Sequence, residues 1–277
     1  MSRRKSIDGT VVAITGAARG IGLATARELH KRGAKVLIGD IDADVAEFAA
    51  ASLGTGAAAC RLDVTDEESF ANFIATAERG FGAVDVLINN AGIMPIGHFE
   101  TQQLSITKRT VEINLVGVLI GMKTVLPSML TRGRGQIVNI ASTAGKVAVP
   151  GGLTYCATKS AVVAATETAR IEFAGRGVAF TCVMPSFTNT ELIAGTKGTK
   201  GVKTVEASDV ASAIAAAIVR PKPEVYVPAM VGPLLRGQLF MSRKMRDRVN
   251  RSMGVHDTFL DFSETMRAAY DNRIEKD

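Results

Sequence analysis

Seven short, almost wholly apolar runs alternate with longer helix-patterned segments, and this rhythm constrains the fold more than any other feature of the chain. The runs Thr10–Thr15, Lys35–Gly39, Ala58–Leu62, Val84–Asn89, Gln136–Ala141, Ala179–Val183 and Val225–Val227 read as strands. Most lack the polar alternation of a sheet with one wet face, so they are expected to be buried on both sides. Segments such as Gly22–Lys31, Ala43–Leu53, Glu67–Arg79 and Thr154–Ala174 carry helical patterns between them. Strand–helix–strand units of this kind close through right-handed crossovers into one parallel sheet. The expected fold is α/β: one doubly wound, Rossmann-type parallel sheet with helices on both faces. The catalytic domain is expected over residues 1–231, with a helical extension over 232–277, where composition shifts toward Arg, Met and Asp. A chain of 277 residues, 47% hydrophobic, can bury such a core.

The first strand runs directly into Thr15-Gly16-Ala17-Ala18-Arg19-Gly20-Ile21-Gly22, and a helix follows. Glycines here allow a tight turn and let backbone N–H groups approach a pyrophosphate, which the helix N-terminus favours. A plain strand-to-helix turn would not need three of them. The second strand ends at Asp40, where a carboxylate can accept hydrogen bonds from an adenosine ribose and repel a 2′-phosphate. That points to NAD. Asp42 is at least as good a candidate for capping the next helix, so Asp40 is free for the ribose. Arg19 dissents, because a cation in this loop could serve the phosphate of NADP.

Composition narrows the function classes. The net charge is +6 and the pI about 9.3, a moderate excess concentrated late in the chain that argues for solubility rather than nucleic-acid binding. No uninterrupted run of 18 apolar residues occurs, and the basic start leads into a strand rather than a signal peptide. Cys60, Cys156 and Cys182 are odd in number and widely spaced, which fits a reducing cytoplasm better than disulfides or zinc. The three histidines are scattered, so no metal site is expected.

Tyr155 and Lys159 stand four apart in a helical pattern and so share a face. A phenol with a pKa near ~10 is a poor base, and a neighbouring ammonium would favour the phenolate. Ser142 ends the fifth strand, at the sheet edge where ligands collect in such folds. With Thr15–Gly22, Asp63-Val64, Asn89-Asn90-Ala91-Gly92, Asn114 and Pro185…Thr190, these residues stand in the order and at the spacing of a known family. Residues 7–230 resemble the short-chain dehydrogenase/reductase family in its compact single-domain form.

The resemblance implies hydride transfer between NAD(H) and a secondary alcohol or ketone. Tyr155 would be the general acid/base, Ser142 the hydrogen-bond donor to the substrate oxygen, and Lys159 a ligand of the nicotinamide ribose. Asn114 would support a water connecting Lys159 to solvent. Gly16, Arg19, Gly20, Ile21 and Gly22 would form the phosphate loop, and Asp63 and Val64 would hold the adenine. Asn90, Ala91 and Gly92 would line the ribose and cleft floor, with Ile113 packed nearby. Pro185 and Thr190 would bound the nicotinamide, while Asn89 would brace the sheet. The family commonly has Pro-Gly where this chain has Pro185-Ser186, so a positive φ at Ser186 would be costly. An NADPH-dependent carbonyl reductase and a non-catalytic nucleotide sensor remain as alternatives. A homotetramer is implied, with Gln102–Leu130 and Gly152–Ala174 at its main interface.

The substrate end is expected to be apolar, formed by Ile93, Met94, Thr143, Ala144, Val149 and Pro150 on one side. Gly152, Phe187, Leu192 and Ile193 would complete it, with no Lys or Arg placed to clamp an anion. A lipophilic substrate suits such a pocket. Gly195–Gly201 reads as a glycine-punctuated lid hinge. In the extension, Leu235, Leu239, Met245, Val249 and Met253 form one apolar stripe among Arg236, Arg243, Lys244, Arg246, Arg248 and Arg251. Such a helix could pack on its own domain, on a neighbouring subunit, or on an anionic membrane. Phe259, Phe262, Met266 and Tyr270 point to a second short helix returning to the body.

Overall fold

The computed structural model describes residues 6–199, 203–238 and 240–276. Its centre is a seven-stranded parallel sheet. The strands are β1 (Val11–Thr15), β2 (Lys35–Asp40), β3 (Ala57–Arg61), β4 (Val86–Asn89), β5 (Gly135–Ile140) and β6 (Val178–Pro185). After a two-stranded parallel ribbon, β7 (Thr188–Asn189) with β8 (Val205–Glu206), the last strand of the main sheet is β9 (Glu224–Val227). The order β3-β2-β1-β4-β5-β6-β9 reverses direction between β1 and β4. Ligands bind at such a switch point, beyond the carboxyl ends of the strands. All seven expected strands are present, with ends shifted by up to two residues.

Helices cover both faces. On one side α1 (Gly20–Lys31), α2 (Ala43–Leu53) and α7 (Ala207–Val219) pack against Val12, Ile14, Val36, Ile38 and Ile88. On the other, α3 (Glu67–Phe81), α5 (Gly117–Thr131) and α6 (Leu153–Glu172) bury Ala13, Leu37, Leu87 and Ile137. Alternate strand residues thus feed opposite cores, which is why these strands carry no polar face. Asn89 donates to Asn139 at 2.8 Å between two neighbouring buried strands, the bracing role expected of it.

The expected helix over Gln102–Leu130 is subdivided. It comprises α4 (Leu104–Val111), a π-helical turn Glu112–Val116, and α5. The whole run Leu104–Thr131 is long and apolar enough to cross a bilayer, with mean hydropathy 1.6, although no unbroken apolar run marks it in the sequence. Here it packs on the sheet through Val118, Val125 and Met129, while Leu104, Val111, Val116 and Leu119 are exposed.

The extension departs most from expectation. Its apolar stripe does not lie on one helix. The chain forms α8 (Val231–Gln238), turns, and restarts as α9 (Arg243–Ser252), where the Ser242 side chain accepts from the Met245 N–H at 3.3 Å. Leu239, one member of the expected stripe, lies outside the described residues. Gly254, at φ +74°, follows the end of α9 as expected. The returning helix is α10 (Glu264–Lys276); Phe259 precedes it in a turn and Phe262 in an isolated β-bridge.

Candidate active site

A cavity of about 900 Å³ opens at the carboxyl ends of the strands and runs from the β1–α1 loop to the C-terminal extension. Its nucleotide end is set by backbone geometry. Gly16 adopts φ +60°, and a Cβ there would lie 2.6 Å from the Cα of Ala91. Gly22 is equally intolerant, since a Cβ would come 2.5 Å from the Gly16 carbonyl oxygen, but it faces the loop from behind and does not line the cavity. Its role is close packing rather than the ligand contact expected. Asn90 stitches the loop together, donating from Nδ2 to the carbonyls of Thr15 at 2.9 Å and Gly16 at 2.7 Å.

Asp40 ends β2 in the cavity wall, and its carboxylate accepts from the Ala18 N–H at 2.9 Å. Burial raises its pKa, and the N–H groups of Ala18 and Asp42 only partly offset that. Asp42 is the N-cap residue of α2, yet its side chain makes no capping bond. Instead it pairs with Arg19, so the dissenting cation is already held by a carboxylate. Ile21, Asp63, Val64, Ala91, Gly92 and Ile113 line the same wall. Asp63 is partly occupied, accepting from the Thr65 N–H at 2.9 Å and its hydroxyl at 2.7 Å.

The catalytic candidates converge beyond it. Tyr155 and Lys159 project from one face of α6, both nearly inaccessible, with Nζ of Lys159 5.7 Å from the Tyr155 ring centroid. Ser142, at the end of β5, accepts from the Ala144 N–H at 3.1 Å, and its hydroxyl sits near the phenol. Burial pushes the Tyr155 phenol well above its usual range; Ser142 opposes the shift. Burial also lowers Lys159 to about 8, and its ammonium donates to the Ile140 carbonyl at 2.9 Å.

Asn114 does not line the cavity. Buried in the π-helical turn, it accepts from the Ile93 N–H and donates to the Ile93 carbonyl, each at 2.8 Å, and it reaches the Thr158 hydroxyl at 3.2 Å. It therefore braces the wall behind Gly92, next to Lys159. Pro185 and Thr190 lie where expected. Ser186 needs no positive φ, since every described residue with one is glycine. Its N–H donates to the Val227 carbonyl at 2.8 Å, and its buried hydroxyl has no partner among the described residues. The glycine cradle, the ribose-side carboxylate and this unpaired hydroxyl all fit a dinucleotide.

At the substrate end Met94, Ala144, Tyr155 and Phe259 form one buried apolar cluster. Ile93, Thr143, Val149, Phe187, Leu192 and Ile193 line the cavity as expected. Pro150 does not, and Gly152 instead receives the Phe259 ring, which a Cβ there would meet at 2.8 Å. Three cations were also missed: Lys108, Arg109 and Arg273 line the cavity, the last paired with Glu191.

The sequence reading missed how deeply α10 enters this site. Arg267 is fully buried; it donates to the Leu192 carbonyl at 2.8 Å and to that of Met94, while Asp271 lies 3.0 Å away. The Met94 N–H donates to the Tyr270 hydroxyl at 2.8 Å. The extension thus clamps the loops after β4 and β6. Spacing offers one signal in retrospect, since Arg267 and Asp271 stand four apart and can pair on a helix. The expected hinge is also fastened: Ser263 donates to the Gly195 carbonyl at 2.9 Å, and Thr196 bridges to Phe262. Lys200 and Gly201 of that hinge lie outside the described residues.

This sheet order, glycine loop and Ser–Tyr–Lys cluster define a nicotinamide-dependent oxidoreductase fold and site, and the chain belongs to the short chain dehydrogenase family, whose model matches residues 10–200. It is 38% identical over 189 residues to a 2,5-dichloro-2,5-cyclohexadiene-1,4-diol dehydrogenase from Sphingobium indicum, covering 67% of this chain and 76% of that one. It is 40% identical over 188 residues to a cis-4-hydroxycyclohexanecarboxylate dehydrogenase from Sinomonas cyclohexanicum, covering 67% and 76%. A solved 3-ketoacyl-(acyl-carrier-protein) reductase from Brucella melitensis, complexed with NADH, superposes with a TM-score of 0.73 at 29% identity. That match covers 80% of this chain and 98% of the reductase. Among the described residues no cluster of His, Cys, Asp and Glu could hold a metal.

Proposed function

We propose that this protein oxidises a secondary alcohol on an apolar, ring-shaped substrate to the ketone, using NAD. The observation that carries the reading is the enclosure of Tyr155 and Ser142 by an apolar wall that includes Phe259 and Met94. The names of two relatives, each acting on a six-membered ring alcohol, support the substrate class. Bound NAD⁺ supplies a hydride acceptor and a positive charge that favours the phenolate. Ser142 donates a hydrogen bond to the carbinol oxygen, Tyr155 takes its proton, and Lys159 supports the resulting charge. In reduction Tyr155 returns the proton.

NAD is the favoured cofactor because Asp40 occupies the ribose-side wall and Arg19 is paired with Asp42. Two like charges about 4 Å apart cost roughly 1–4 kcal/mol, enough to disfavour a 2′-phosphate. We also propose a homotetramer. Leu104, Val111, Val116 and Leu119, with Leu153 and Ile171 of α6, are exposed on the helices expected to form its interface. The test is a panel of cyclic secondary alcohols with NAD and NADP, followed by absorbance of the reduced nicotinamide. Turnover with NAD is expected, and preference for NADP or for open-chain hydrophilic alcohols overturns the reading. A monomeric mass by light scattering overturns the tetramer.

A further inference from the structure

We propose that Gln238 and Asn250 form a second polar recognition point in the substrate cavity, binding a hydroxyl or oxo group remote from the carbinol that reacts. This rests on the proposed oxidation of an apolar ring alcohol at Tyr155. Both residues lie beyond the segment matched by the family model.

The placement follows from helix geometry. On α8, Val231, Leu234, Leu235 and Gln238 stand at the i, i+3, i+4 and i+7 positions of one helical face, and all four line the cavity. Three are apolar and the fourth is a primary amide. On α9, Asn250 and the following Met253 face the cavity three residues apart, while Arg243, Lys244, Arg248 and Arg251 are exposed. The wall is thus greasy except where Gln238 meets Asn250.

Gln238 is 7% exposed. Its amide carries two donors and a carbonyl acceptor. Among the described residues its side chain makes a single hydrogen bond, from Nε2 to Oδ1 of Asn250, at a long 3.4 Å. Ordinary N–H···O bonds cluster near 2.9–3.0 Å. An amide with spare capacity that faces the cavity from an apolar wall can exchange water for a ligand oxygen. Leu or Met at this position would pack better against a purely hydrocarbon substrate. The Thr199 hydroxyl lines the same cavity and has only a 3.4 Å contact with Thr258. The three side chains together offer donors and acceptors, which suits a neutral hydroxyl or ketone oxygen rather than an anion. The substrate class that follows is a rigid alicyclic diol or hydroxyketone with its oxygens on opposite sides of the ring system.

The experiment uses the full chain loaded with NADH and matched probes of increasing oxygen separation. These are cyclohexanol with cyclohexane-1,4-diol, decalin-2-ol with decalin-2,6-diol, and androstan-17-ol with androstane-3,17-diol. Binding is measured by calorimetry and turnover with NAD separately. The wild type is expected to bind at least one diol roughly tenfold more tightly than its mono-ol, the value of about one net hydrogen bond. Gln238→Leu and Gln238→Met are expected to erase that margin by raising the Kd and KM of the diol while the affinity for the mono-ol is kept or improved. Asn250→Leu provides an independent variant should position 238 prove intolerant. Equal affinity for diol and mono-ol in all three pairs overturns the proposal. So does an equal loss for both members of a pair in the variants, which would make the amides a brace between α8 and α9 only. If no alcohol is oxidised, the oxidation reading fails, and the binding arm still decides the recognition point.

Discussion

The two ends of the cavity are held by different means. The nucleotide end is fixed by backbone: Gly16 and Gly22 sit where a Cβ would collide, and Asn90 ties carbonyls within one short loop. The substrate end is fixed by side chains arriving from far along the chain, with Arg267 and Tyr270 gripping Met94 across 173 and 176 residues. Backbone-fixed geometry tolerates few substitutions and accepts one kind of ligand. A wall assembled from a separate segment can be rebuilt without disturbing the sheet. On the proposed reading, cofactor choice lies in the first half of the chain, and the extension joins loops of the main domain in forming the substrate wall.

The largest effect is expected where the two ends meet. Tyr155→Phe should lower kcat by about 10³-fold, the scale of general acid–base catalysis, with NAD affinity by calorimetry nearly unchanged. Appreciable residual turnover would move the proton to another group.

Two further variants break the comparison from opposite sides. Arg267→Ala strands the Leu192 and Met94 carbonyls, each buried acceptor left unpaired costing about 1–3 kcal/mol, while the half-exposed Asp271 can turn to water. The fall in kcat/KM should exceed the fall in NAD affinity, with partial rescue by Arg267→Lys. Gly22→Val should do the reverse, weakening NAD binding while the fluorescence or exchange protection of the extension persists. Equal damage to both functions in both variants would show that the ends are not separable.

Asp40→Ala should shift the NAD-to-NADP ratio of kcat/KM by roughly tenfold or more toward NADP, on the scale of one like-charge repulsion. The carboxyl's raised pKa adds a pH signature. As pH falls toward that raised value the group becomes neutral, so wild-type discrimination should weaken on acidification and the variant's should not.

The last effect concerns stability. Burial lowers Lys159 to about 8 from an ordinary 10.5, so the unfolded chain holds more protons between those values. Stability should therefore rise with pH from about 8 to 10.5, and the full penalty remains below that window. Lys159→Met should be inactive yet more stable at neutral pH by about 2 kcal/mol, less than the full shift because the Ile140 carbonyl loses its donor. A lower melting temperature would mean the lysine is a structural brace.

Local pattern determined much of this. Apolar runs such as Val11–Thr15 and Val86–Asn89 could only be strands buried on both faces, and Gly16, Gly20 and Gly22 between strand and helix could only shape a close-approach loop. Four-residue spacing put Tyr155 and Lys159 on one face because a helix repeats every 3.6 residues. These features are short-range, so they are legible in order along the chain. Tertiary structure alone decided the rest. Asn114 braces Ile93 instead of lining the cleft, Arg19 is spent on Asp42, and the apolar stripe of the extension is divided between α8 and α9. Arg267 looks like any surface cation in sequence. Beyond its four-residue spacing to Asp271, only folding brings the two loop carbonyls around it, because contacts across more than 70 residues depend on how helices pack and leave no periodic trace.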